Sequence, residues 1–157
     1  MGKVYVTREL PAEGLDCLAE HQVDVNPEDR PLSREELMAI VREYDAVISL
    51  LSDKIDAEII HAAAGKVKIF ANYAVGYDNI DVAAAAKAGI WVTNTPGVLT
   101  EATADIAWAL LLAASRHVVA ADKFTRAGKF KGWHPTLFLG GDFWGATLGI
   151  VGAGRIG

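Results

Sequence analysis

Thr147-Leu148-Gly149-Ile150-Val151-Gly152-Ala153-Gly154-Arg155-Ile156-Gly157 reads as a short apolar strand running straight into G-x-G-x-x-G. That order, strand first and glycines next, is the fingerprint of a dinucleotide-binding turn. Gly152 would permit the tight turn, Gly154 would let backbone approach a pyrophosphate, and Gly157 would allow close helix–strand packing. A glycine-rich turn that binds nothing fits the same letters equally well. The helix and the acidic residue that complete the fingerprint, about 20 positions later, do not follow here.

Working back from that turn, short apolar runs alternate with helical patterns. Strands are expected at Val4–Val6, Val23–Val25, Ala46–Leu50, Val67–Ala71 and Ile90–Thr93, each rich in β-branched or aromatic residues. Between them, a helix starting at Pro11 should run to Glu20. Ser33-Arg34-Glu35-Glu36 is a capping box ahead of Leu37, Ile40 and Val41 at helical spacing. Asp56 should cap a third helix carrying Ile59, Ile60 and Ala63, and Asp81 a fourth that stops at Gly89. Such alternation implies βαβ units and a parallel sheet with helices on both faces, and strands this apolar imply a sheet buried on both sides. After the turn at Thr95-Pro96-Gly97, one long helix capped by Thr100 should reach about Thr125, its apolar middle buried all round. The stretch 128–145 is irregular and aromatic, with Phe130, Trp133, Phe138, Phe143 and Trp144, so it must pack on something.

Composition narrows the function classes. Apolar residues make up 52% of the 157 residues and the net charge is −5. A nucleic-acid binder ordinarily shows a basic excess, and this chain has none. The single cysteine, Cys17, excludes an internal disulfide framework and a multi-cysteine metal site; it reads as a small core residue. The apolar run Ile106–Ser115 is about half a bilayer span, so it reads as a core helix. With no leader-like start, the expected location is the cytoplasm. No metal site is expected. His21, His61, His117 and His134 read as surface or boundary residues.

Three segments carry a resemblance. Asn72-Tyr73-Ala74-Val75-Gly76-Tyr77-Asp78-Asn79-Ile80-Asp81, then Val92 through Asp105 (VTNTPGVLTEATAD), then Gly149 through Gly157 resemble, in order, the signature segments of the D-isomer-specific 2-hydroxyacid dehydrogenases. With Leu50-Leu51-Ser52-Asp53-Lys54-Ile55-Asp56, they are most similar to the glyoxylate/hydroxypyruvate reductase branch. The resemblance spans essentially the whole chain. It implies an α/β chain in two parts: a flavodoxin-like, parallel-sheet substrate domain over 1–98, and the beginning of a Rossmann NAD(P)-binding domain over 99–157. It also implies reduction of a small 2-oxo acid with NAD or NADP as cofactor.

The resemblance also implies roles for residues. Backbone N–H groups of Val75 and Gly76 would hold the substrate carboxylate, and Leu51 and Ser52 would line the same pocket. Thr103 would face the nicotinamide, and Val75 would also belong to the cofactor site. Gly152, Gly154, Arg155, Ile156 and Gly157 would cradle the pyrophosphate. The family's His, Glu and Arg lie beyond the glycine turn, so no catalytic residue is placed on this sequence. The chain is accordingly expected to be an inactive N-terminal fragment. Members dimerise through the first nucleotide-domain helix and the arm after it, which implies a homodimer through 100–144. Two rival readings are a non-enzymatic, corepressor-like dinucleotide sensor and a stand-alone flavodoxin-like binding domain.

Overall fold

The computed structural model describes residues 1–157, which divide into two compact units, Met1–Pro96 and Gly97–Gly157. In the first unit, β1 (Lys3–Val6), α1 (Ala12–Asp16), β2 (Gln22–Val25), α2 (Arg34–Glu43), β3 (Ala46–Ser49), α3 (Ala57–Ala63), β4 (Ile69–Asn72), α4 (Val82–Ala88) and β5 (Trp91–Thr93) follow in order. The five strands form one parallel sheet in the order β2-β1-β3-β4-β5. This is the flavodoxin-like order, whose switch point lies between β1 and β3.

Local signals place the helices. Ser33 accepts from Glu36 N while the Glu36 carboxylate accepts from Ser33 N, closing the capping box. Asp56 accepts from the backbone N–H groups of Glu58 and Ile59, and Asp81 from that of Ala84. Gly89 ends α4 with φ +70°, a left-handed conformation that costs glycine nothing.

One sheet face is closed. Val47 and Phe70 on that face join Leu37, Val41, Ile59, Ile60, Ala63 and Ala85 from the helices in a single buried cluster. The other face departs from the expected burial on both sides. Val4 and Val6 are buried there, but Ile48, Ile69 and Ala71 are only partly covered and Trp91 is exposed. On this face α1 lies beside Ile48 and Ala71 and is short: five residues, none buried, where the sequence predicts a ten-residue helix. Cys17 is likewise exposed at the end of α1 and is not a core residue.

The second unit differs more. α5 (Thr100–Ser115) and α6 (Val118–Arg126) replace the single long helix; the two are bent by 62° at a break where His117 has φ +54°. Thr100 does not cap α5, since Leu99 holds that position without a side-chain bond. Leu137–Gly141 folds back on the break: Phe138 packs edge-on against Phe124, and Gly141 N donates to Ser115 O. No residue of 97–157 is buried, so the apolar middle of α5 is open, against expectation. Thr147–Val151 forms no strand, because the unit offers no extended partner to accept and donate its backbone bonds. No single helix is long and apolar enough to cross a membrane; the bent pair α5–α6 satisfies that length and composition only jointly.

Candidate carboxylate site and glycine turn

The carboxyl ends of the parallel strands carry the loops where ligands of such sheets bind. After β3, the turn Leu50–Asp53 is closed by Asp53 N donating to Leu50 O (3.0 Å), and Leu50 N donates to Asp53 Oδ2 (2.8 Å). The same oxygen accepts from Thr7 Oγ1, just past β1, at 2.5 Å. Thr7 and Asp53 are both buried, so this bond pins the two strand ends across the switch point.

After β4, an amide network ties the second loop to the first. Ser49 Oγ donates to Asn72 Oδ1 (3.0 Å), and Asn72 Nδ2 donates to Gly76 O (2.9 Å) and Asn79 Oδ1 (3.1 Å). Asn79 Nδ2 donates to Leu50 O and Asp53 O, both at 3.0 Å. A buried amide left unpaired costs about 1–3 kcal/mol, so these bonds fix both loops rather than decorate them. Thr95 N donates to Ala74 O (2.8 Å) and Asn94 Nδ2 to Val75 O (2.7 Å).

The structure brings Leu51, Ser52, Val75 and Gly76 to this one sheet end. Leu51 and Ser52 line a cleft of about 490 Å³ with Arg8, Asn26, Tyr73 and the carboxylates Glu9, Glu28 and Asp29; Val75 and Gly76 do not line it. The Cβ that Gly76 lacks would meet only Leu51 Cδ2, at 3.9 Å, and Gly76 does not have a positive φ. The fold itself therefore does not require glycine there. The backbone N–H groups of Leu51, Ser52, Val75 and Gly76 donate to no protein acceptor. The sequence reading missed Asp53, Asn72, Asn79 and Asn94. For Asn72 and Asn94 the signal was a polar residue at or just past the end of an apolar strand; Asp53 and Asn79, four and seven positions past theirs, carried none.

The remaining predicted residues belong to the second unit. Gly152 has φ +94°, and a Cβ on Gly157 would run into the carbonyl of Gly152, so both positions need glycine. A Cβ on Gly154 would meet open space. No backbone N–H from Gly152 to Gly157 donates to a protein carbonyl. Gly152, Ile156 and Gly157 share a cleft of about 400 Å³ with Ala104, Trp108 and Leu111 of α5. Thr103, one turn into α5, is half-buried. His21 Nδ1 accepts from Gly2 N, and His117 and His134 bond within 115–139.

Residues 4–149 match the family model described as D-isomer specific 2-hydroxyacid dehydrogenase, catalytic domain. The chain belongs to that family. Among its 2-hydroxyacid dehydrogenase relatives, a glyoxylate reductase of Korarchaeum cryptofilum is 56% identical over 99% of this chain and 47% of its own length. One of Thermococcus kodakarensis is 54% identical over 99% of this chain and 48% of its own. The chain thus spans about half the length of the curated relatives it matches. The crystal structure of the TT0316 protein from Thermus thermophilus superposes with a TM-score of 0.92 at 48% identity, covering 98% of this chain and 50% of that one. The family uses NAD(P).

Proposed function

We propose that this chain supplies the substrate-holding domain (1–98) and the beginning of the nucleotide-binding domain (99–157) of an NAD(P)H-dependent reductase of small 2-oxo acids, glyoxylate or hydroxypyruvate. The observation that carries the reading is the loop after β4. Its carbonyls are tied to donors inside the domain, while the Val75 and Gly76 N–H groups have no protein partner. Free, fixed N–H groups beside an absent side chain are what a carboxylate needs. Leu51, whose Cδ2 lies 3.9 Å from where a Gly76 Cβ would stand, and Ser52 beside it supply the neighbouring wall.

The glycine turn supports the cofactor half. Its unpartnered N–H groups and the missing side chains at Gly152, Gly154 and Gly157 suit a pyrophosphate, with Arg155 and Ile156 offering backbone donors. The nicotinamide, when bound, supplies the hydride for the 2-carbon. The chain's own residues bind and orient: Val75 and Gly76 hold the acid, and Val75 and Thr103 belong to the residues that bind the cofactor. No residue of 1–157 is assigned the proton transfer. The apolar surface of 100–144 supports a homodimer.

The test is a ¹H–¹⁵N NMR titration of the 157-residue chain with glyoxylate. Saturable shifts centred on Val75 and Gly76 are expected, with no glyoxylate-dependent oxidation of NADH or NADPH. Shifts elsewhere only, or turnover that disappears on changing one of the histidines, would overturn the assignment.

A further inference from the structure

The loop Ala74–Gly76 has three consecutive carbonyls, and each is taken by a donor from the domain. Ala74 O accepts from Thr95 N, Val75 O from Asn94 Nδ2 and Gly76 O from Asn72 Nδ2. A trans peptide is planar, with its C=O and the next N–H pointing in opposite directions. Tying a carbonyl therefore aims the following N–H away from the donor. Thr95 sets the direction of Val75 N–H, and Asn94 sets that of Gly76 N–H. The second constraint differs in kind: Thr95 uses backbone, whereas Asn94 uses a side chain that substitution can remove. Asn94 lies just past β5 and reaches 19 positions back along the chain, at 2.7 Å. No other side chain binds Val75 O.

We propose that Asn94 is a positioning residue of the carboxylate site, holding the Val75–Gly76 peptide in the plane that presents Gly76 N–H to the acid. The inference rests on the reading of Val75 and Gly76 as the carboxylate donors. Asn94 touches no substrate in this scheme. It works through one hydrogen bond, which strengthens when Gly76 N–H is polarised from the far side by an anion.

The experiment is glyoxylate titration of the 157-residue chain, followed by NMR on the Val75 and Gly76 amides and on the Asn94 side-chain amide. In the wild type all three shift together with one dissociation constant. Asn94→Leu keeps the bulk and removes the donor; its affinity falls roughly three- to tenfold, the worth of about one hydrogen bond, with an unchanged urea midpoint. Asn94→Gln restores an amide and recovers part of the loss. Wild-type affinity in Asn94→Leu overturns the inference and leaves the carboxylate site standing. Should Asn94→Leu fold poorly, the wild type still decides: an Asn94 side-chain amide that stays still while Val75 and Gly76 shift overturns the inference. No shift of Val75 or Gly76 in the wild type overturns the site itself.

Discussion

Gly89 and Gly76 both follow apolar segments, yet only Gly89 has a positive φ, +70°. A Cβ in that left-handed conformation costs about 1–2 kcal/mol, so Gly89→Ala should lower stability by that amount in urea unfolding. Gly76→Ala should leave stability within about 0.5 kcal/mol, because its Cβ meets only Leu51 Cδ2 at 3.9 Å. The same change should weaken glyoxylate binding, and Gly76→Val should weaken it more, since both crowd the approach to the free N–H groups. A stability loss at Gly76→Ala with binding unchanged would make the glycine a structural one. The two glycines were equally visible in the sequence, but φ separates them, and φ belongs to the folded backbone. The same holds for Asn72, Asn79 and Asn94. Their letters were legible, whereas their partners lie 4 to 29 positions away.

At the scale of elements, helix starts were readable because a cap is a local bond. Ser33, Asp56 and Asp81 each bond N–H groups two or three residues on. Asp56 does more: its carboxylate also accepts from Arg34 on α2 (2.8 Å), joining two helix starts. Arg34 first, and the backbone N–H of Ile59 next, hold the Asp56 carboxyl down at about 2. Its folded value is thus below that of the unfolded chain, so its stabilisation is present above about pH 4 and fades as pH falls through about 2. Asp56→Ala should cost about 0.5–2 kcal/mol at pH 7, and the difference from wild type should shrink towards pH 2. Paired urea titrations at pH 7 and pH 2 measure it; a pH-independent difference would count against the charged cap. The breaks were less readable. Ser115-Arg116-His117 contains no proline or glycine, and the bend arises where Leu137–Gly141 packs back onto it.

For the molecule as a whole, each unit sets a different expectation. In Gly97–Gly157, Leu110 is 63% and Trp133 85% exposed, while Phe138 is half-covered by its contact with Phe124. Exposed apolar surface of this extent suits an association face. If the proposed homodimer forms through it, sedimentation of the 157-residue chain should show self-association that Leu110→Glu with Trp133→Glu abolishes. Phe138→Ser should instead loosen the fold around α6, and an unchanged mass in the double variant would reject the interface. The sequence by itself determined the five parallel strands, the capped helices between them and the family, because periodicity, caps and glycine spacing are written along the chain. It also named Val75, Gly76 and the glycine turn through resemblance. The tertiary structure alone decided which sheet face closes, where the long helix breaks and that 147–151 stays unpaired. It also showed which side chains tie the carbonyls of the loop after β4. Each of these depends on a partner distant in sequence, and a residue's own letter carries no record of what folds against it.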